Sequence, residues 1–561
     1  MVATVAEPEV AHAPPEAAHG FERWGVAAYL VVTGVLVAGI LARLGGTLVY
    51  TLDDAAIHMS VADTLVRHGT WGVDAGVFQS ASSSPLWTVL VAAGMAVVPR
   101  GDQWVPLLGN LAFGVATIVV LGRNQTVLRP SRRRPLDAVV TVVLVTVVLF
   151  LPGLAVSGME HSLQLVLVLG AVILFQRRAH DPADRGGLPA WAPYAVLALA
   201  TLARFETAFV GAGLMAGLAY DWAHAARRSR ERLARVREIV AVGAAVAVPV
   251  VTFSLFNLAM GGGVLPNSVL VKGQGAGSHT NHAGLGPGDI GSRLAADPLV
   301  GALAVFAVAY VLLTWGRPAR YRLTAITLAV AALLHATFAD IGWFERYQAY
   351  LIALGIYLVL GVIAEAPAGL RSRALAALLV VTVVFTPMKA TLLVRTPQYA
   401  DQMYRHTYQA GLFLHRYYEG RPIATDQLGY ITLFHDGPVT DFAGLGDYDV
   451  LRHEPPRTED PVYWAGLQAR RGFPVAVLPG VTSLYATPPD WIRVGTLHID
   501  GPYDGVGRDL EFWATSPGEV APLEAHLKEF EPELPGGVTL KMNGLAGFQA
   551  AAVESKAGAA S

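Results

Sequence analysis

The feature that most constrains this chain is a series of apolar runs, near 24–44, 104–122, 137–156, 162–176, 190–203, 206–221, 239–259, 298–315, 322–341, 348–364 and 373–394. A bilayer core of about 30 Å takes roughly 20 apolar residues as a helix, so each run reads as a membrane span, the shorter ones tilted or in thinned lipid. The fold class expected is a polytopic α-helical membrane protein of about eleven transmembrane helices. Composition agrees: 53% hydrophobic residues, 15% charged residues and a mean hydropathy of +0.45 exclude an ordinary soluble enzyme. A net charge of −2, with arginines gathered between apolar runs, argues against nucleic acid as a partner. No cysteine is present, which excludes disulfides, thiolate metal sites and thiol nucleophiles.

Arginine placement orients the spans. The segment 85–99 is apolar but only fifteen residues long and is bounded by Pro85 and Pro99. If it crossed, Arg123, Arg129, Arg132, Arg133 and Arg134, then Arg177 and Arg178, would all fall outside, against the positive-inside bias. Read as an interfacial helix, it puts them inside with the arginines of 227–237, 317–322 and 371–373. The same parity requires a break at Arg204-Phe205-Glu206. Residues 1–22, rich in Ala, Pro and Glu, read as a disordered cytoplasmic tail, followed by an uncleaved first span.

One face then collects Asp53-Asp54, Gly158-Met159-Glu160, Arg204-Phe205-Glu206, the 261–297 loop, Glu345-Arg346-Tyr347 and everything after 394. The last part changes character: strand-like runs at 422–425, 438–441, 474–478 and 491–499 alternate with helical stretches at 398–418, 461–471 and 522–530. This predicts a C-terminal external α/β domain over 395–550 and a disordered tail over 551–561.

The first external loop, 46–103, carries the densest chemistry. Asp53 and Asp54 follow the first span, and Ile57, Val61, Leu65 and Val66 after them fit an amphipathic helix on the membrane surface. Paired carboxylates there can take a proton or, with His58 one helical turn on, hold a divalent cation. The plainer reading makes Asp53 a helix cap and His58 a solvated surface residue. No pattern demands a cofactor. The glycines at 261–263 follow no strand and precede no Gly-Lys-Ser/Thr, so they are not a phosphate loop.

The Asp-Asp pair, then AIHMSVADTLVRHGTWG and SSSPLW, resembles the first external loop of the glycosyltransferase C superfamily, polytopic enzymes that take sugars from polyprenyl-phosphate carriers. Gly158-Met159-Glu160, Arg204-Phe205-Glu206, Leu265-Pro266-Asn267-Ser268 with Lys272, and Phe344-Glu345-Arg346-Tyr347 are similar, in the same order, to short patterns of its bacterial members. The arabinofuranosyltransferase-like branch of actinobacteria is the nearest, and IATDQLGYITLFHDGPVTDFAGL over 423–445 resembles the start of its external domain.

The resemblance implies a catalytic membrane domain over 23–394 in a bacterial plasma membrane, with the C-terminal domain extracytoplasmic. It implies an inverting transfer of a sugar, arabinofuranose in that branch, from a polyprenyl-phosphate donor to a glycan, glycolipid or protein acceptor of the cell envelope. Carried over residue by residue, Asp53 is the base and Asp54 its helper; Arg204, Lys272 and Arg346 meet the donor phosphate. His58, Glu160, Glu206 and Trp87 are candidates to line the site or meet the acceptor. Each has a bland alternative: arginines at helix ends snorkel to headgroups, and Glu206 and Glu345 pair with adjacent arginines. Two rival classes stay open. A transporter or flippase would carry charges within its spans, which are nearly free of them here, and a non-catalytic glycan-binding membrane protein would not require Asp53.

Overall fold

The structure, a computed structural model, describes residues 20–98, 102–125, 135–180, 187–224, 229–273, 287–453, 459–480, 485–501 and 507–543. Both predicted tails, apart from residues 20–22, lie outside these residues, as do Pro99, Arg129 and the arginines at 132–134.

Every apolar run is helical, but the spans are less uniform than expected. Five helices are long and apolar enough to cross a membrane: Gly20–Arg43, Val105–Asn124, Leu136–Val156, His161–His180 and Arg232–Ala259. Two bent pairs, Ile290–Ala296 with Pro298–Leu313 and Gly369–Phe385 with Pro387–Tyr418, bring the number to seven if each is one span. Ala192–Ala203, Arg322–Phe338 and Ala349–Glu365 are shorter apolar helices, so the expected eleven crossings are not all met by length. Pro85–Val97, the proposed interfacial segment, is a thirteen-residue helix and reaches only about 20 Å.

The run 373–394 is not one straight element. Its helix stops at Phe385 and restarts at Pro387 after a 60° bend, because proline has no N–H to donate and its ring crowds the preceding turn. The break foreseen at 204–206 is present: Arg204 is extended between helices Ala192–Ala203 and Thr207–His224.

Small residues let the helices approach. A Cβ on Gly213 would sit 2.6 Å from the Thr327 backbone, so helix Thr207–His224 lies directly on Arg322–Phe338. Outward-facing apolar side chains are left bare, with Val35, Val251 and Val383 more than half exposed, as suits lipid rather than water. The chain is a helical membrane protein on these grounds. Its ends differ: Glu160 stands just before helix His161–His180 and Arg177 in its last turn, about 25 Å apart along the axis. Arg177 bonds Asn124 (2.6 Å) and Arg178 bonds Glu238 (3.2 Å) at the basic end.

The C-terminal part holds six strands, β1 (Ile423–Thr425), β2 (Val439–Asp441), β3 (Val475–Pro479), β4 (Ile492–Ile499), β5 (Asp509–Ala514) and β6 (Val538–Met542). They form one sheet in the order β2-β1-β3-β5-β4-β6, parallel through the first three and antiparallel beyond. One apolar cluster gathers Phe413, Leu523, Leu527 and Phe530, and a second Phe442, Trp464, Phe473 and Trp491. Sequence reading located β1 to β4 and missed β5 and β6. No loop separates this domain from the bundle, since helix Pro387–Met403 carries the chain straight past 394–395.

Candidate active site

The loop helix, Asp53–His68, opens on its two aspartates and ends at Gly69, which takes the left-handed φ of 67° that a C-cap favours. It does not lie on a membrane surface as expected. Ala55, Ala56, Ile57, His58, Met59, Ser60, Val61 and Ala62 are all buried, because helix Pro85–Val97 covers one side and helix Leu428–Phe434 of the C-terminal domain another. Of the apolar positions that predicted lipid contact, Ile57 and Val61 are covered by protein, Leu65 is half-buried and Val66 stays exposed.

Asp53 is gripped from that domain. Its Oδ1 accepts from the Thr407 hydroxyl (2.9 Å) and the Tyr430 amide (3.1 Å), its Oδ2 from the Gly429 amide (2.8 Å). Each carboxylate oxygen can accept two such bonds, so Oδ2 keeps an acceptor position. Burial pushes the Asp53 carboxyl up to about 6, with the Asp54 charge adding to the rise and the three hydrogen bonds opposing it. Asp54 points elsewhere: its Oδ2 meets Arg346 Nη2 at 2.5 Å, and its side chain is 37% exposed.

Arg346 is almost fully buried, with its Cζ 4.8 Å from the Tyr347 ring centroid and Nη2 donating to the Tyr347 hydroxyl (3.0 Å). Its Nε and Nη1 are buried with no hydrogen-bond partner among the described residues. Arg204 approaches the same ring, 5.4 Å from Cζ to centroid, and holds Glu160 and Glu206 at 2.5 Å each. Two guanidiniums therefore converge on one tyrosine, and a planar fork with open donors is the group that grips phosphate or carboxylate oxygens.

Glu160 sits in the turn before helix His161–His180 and is fully buried. Burial pushes its carboxyl up, but His161, Arg204 and His58 outweigh it and hold it well below the ordinary value. His58 faces Glu160 (Nε2 to Oε2 3.3 Å), and its Nδ1 lies 3.1 Å from Ser82 Oγ and 3.3 Å from Thr88 Oγ1. The serine run now has a structural account. Ser80 donates to Asn257 (3.1 Å), Ser82 meets His58, and Ser84 donates to the carbonyl of Ala203 (2.6 Å), one residue before Arg204.

Trp343, Phe344 and Glu345 all adopt positive φ (45°, 64° and 60°) immediately before Arg346. Such conformations in side-chain-bearing residues cost on the order of 1–3 kcal/mol each and persist where the surroundings hold them.

The structure brings together Asp53, Asp54, Arg346, Arg204, Glu206, Glu160 and His58. It turns His58 away from the aspartates, so the three do not form one cation-binding set, and no group of three or more metal-type ligands occurs among the described residues. Trp87 is buried against Phe113 and Gly109 within the bundle. Lys272 is on helix Asn267–Gly273, with its side chain outside the described residues. Sequence reading missed Thr407, Gly429 and Tyr430, although the last two lie in TDQLGY, part of the segment singled out by resemblance. It also missed Asp297 and Lys389.

A family profile described as a domain of unknown function, DUF8728, matches residues 397–514. A search of curated proteins finds no match. Among solved structures, ArnT from Cupriavidus metallidurans in the apo state is similar at 15% identity and a TM-score of 0.49, covering 90% of this chain and 99% of that one. The same protein bound to undecaprenyl phosphate is similar at 14% identity and 0.49, with the same coverage of both chains. The archaeal oligosaccharyltransferase AglB from Archaeoglobus fulgidus, in complex with an inhibitory peptide and a dolichol-phosphate, is similar at 12% identity and 0.48, covering 89% of this chain and 75% of that chain.

Proposed function

We propose that this protein is an inverting glycosyltransferase of the glycosyltransferase C type, which moves a sugar from a polyprenyl-phosphate carrier to an acceptor hydroxyl at the extracytoplasmic face. The observation that carries this reading is Arg346, nearly fully buried, with two donors open beside a carboxylate pair. A buried guanidinium left partly unpaired is costly unless an anion completes it. A lipid-borne phosphate at the end of a helical bundle is an anion of the right shape, and the sequence motifs point to the same donor.

In this mechanism Asp53 accepts the proton of the acceptor hydroxyl through its less occupied Oδ2. The acceptor oxygen attacks the anomeric carbon as the bond from that carbon to the phosphate oxygen breaks. The electron pair leaves with the phosphate, where Arg346, and Arg204 beside it, neutralise the developing charge. Asp54 holds Arg346 in the absence of donor and gives way to phosphate on binding. A carboxyl raised to about 6 is deprotonated at neutral pH yet basic enough for proton transfer, which is typically worth about 10²- to 10⁴-fold.

The resemblance of the motifs makes an arabinofuranosyl donor the first to assay, with envelope glycans, glycolipids and proteins as acceptor classes. The full chain in nanodiscs is supplied with a labelled polyprenyl-phosphoryl arabinofuranose and a cell-envelope extract. Transfer of label that is lost in Asp53→Asn and Arg346→Ala supports the reading. Equal transfer by all three folded proteins overturns it. A non-catalytic glycan binder would retain acceptor binding and show no transfer from any donor.

A further inference from the structure

The turn that presents Arg346 is braced by charged groups that the mechanism above does not use. Lys389, in the first turn of helix Pro387–Met403 just beyond the bend, is 3% exposed. Its Nζ lies 2.5 Å from Glu345 Oε2 and 3.5 Å from Asp297 Oδ2. Gln348 Nε2 donates to the same two carboxylates, at 2.9 Å to Glu345 and 3.0 Å to Asp297. The other end of its amide, Oε1, accepts from the Gly342 N–H (2.9 Å), which closes the loop 342–348 on itself. Asp297 is itself fixed, since its Oδ1 caps helix Pro298–Leu313 through the amides of Leu299 and Val300.

Glu345 is thus the point where the left-handed run is tied down, one residue before Arg346. A run of three side-chain-bearing residues at positive φ does not hold itself. A buried carboxylate such as Glu345 requires a cation or equivalent donors, and Lys389 supplies the cation.

We propose that Lys389 is a positioning residue that, through Glu345, holds the turn 342–348 in the conformation aiming Arg346 at the donor phosphate. The donor part rests on the function proposed above; the holding of the turn does not. Lys389 also stands at the bend through which the chain passes into the C-terminal domain, the domain that grips Asp53. One lysine therefore links the placement of the phosphate-binding arginine to the element leading to the residues around the base.

The test uses the full chain in detergent, with hydrogen exchange followed over 342–348 and binding measured to undecaprenyl phosphate. Lys389→Met keeps the length of the side chain and removes its charge. It is expected to speed exchange across 342–348 by about tenfold or more and to weaken binding several-fold, while Lys389→Arg keeps both near wild type. If Lys389→Met fails to fold, Lys389→Met combined with Glu345→Gln, which removes both charges of the closest pair, serves in its place with the same expectation. In an Arg346→Ala background the Lys389 substitution is expected to cost no further binding. Unchanged exchange over 342–348 in a folded variant overturns the proposal, as do binding losses that add independently. Faster exchange together with unaltered undecaprenyl phosphate binding by Arg346→Ala overturns the donor role and leaves the bracing of the turn in place.

Discussion

At the scale of single residues, the two neighbouring aspartates have been given different tasks by what surrounds them. Asp53 meets backbone amides and a hydroxyl, Asp54 a guanidinium. With Asp53 as the base, kcat/KM falls on the acid side with a limb near pH 6, because a carboxyl that already holds its proton cannot take the one from the acceptor hydroxyl. A rate profile from pH 5 to 8 checks this. Stability runs the other way. A folded value of about 6 lies above the ordinary 3.8, so the folded state binds this proton more tightly than the unfolded chain does. The stabilisation is fully present below pH 3.8 and is lost as pH rises through 6, by roughly 3 kcal/mol. In Asp53→Asn the fall of melting temperature as pH rises from about 4 to 6 is expected to be reduced, and Asp426, whose carboxyl burial and the nearby Asp441 and Asp53 push up to about 8, is expected to titrate lower once the Asp53 charge is gone. Arg346→Lys keeps the charge but loses the planar fork and the open Nε, and is expected to weaken donor binding about tenfold.

At the scale of elements, the loop helix and helix Leu428–Phe434 form the joint on which the site depends. Gly429 is irreplaceable there: a Cβ would lie 2.3 Å from both the carboxyl carbon and the backbone oxygen of Asp53. Gly429→Ala is expected to push the helices apart, at a cost of about 1–3 kcal/mol, and to reduce transfer far more than it lowers the melting temperature. The hydroxyl of Tyr430 accepts from the Tyr50 amide at 2.8 Å, so Tyr430→Phe orphans a buried N–H and loosens the same joint by about 1–3 kcal/mol. These contacts were not legible in the sequence. They join positions 354 to 377 residues apart, and two of the three bonds to Asp53 come from backbone amides, which leave no side-chain signature. The strands were legible where apolar runs were bounded by proline, as before β1, β2 and β3. β6 was missed because it is a short edge strand whose Thr539 and Lys541 face solvent. β5 was missed because its alternation is masked by Glu511 and Asp509, which pair with Arg493 and His498 of β4.

At the scale of the whole molecule, hydrophobicity located the bundle, while its detailed course depended on local chemistry. Pro387 turned an expected single span into two bent helices, and the loop helix was drawn into the protein because a second domain was there to cover it. The aspartates, the paired arginines and the C-terminal domain meet at one end, opposite Arg177 and Arg178. On the proposed orientation, cysteines placed at exposed sites near 75 and at 450-side loops of the C-terminal domain react together with an impermeant reagent in intact cells, while one placed at 180 does not.

Single-turnover transfer tests the proposed roles of Arg346 and Asp53 toward a polyprenyl-phosphate sugar. Purified full-length protein in nanodiscs is given labelled polyprenyl-phosphoryl arabinofuranose and envelope acceptor, and single-turnover transfer is followed for wild type, Asp53→Asn and Arg346→Ala. Wild type is expected to transfer the sugar, Asp53→Asn to keep donor binding with about 10²-fold or greater loss of rate, and Arg346→Ala to bind donor more weakly. Transfer at the wild-type rate by folded Asp53→Asn, or donor binding unaffected by loss of Arg346, would contradict these roles.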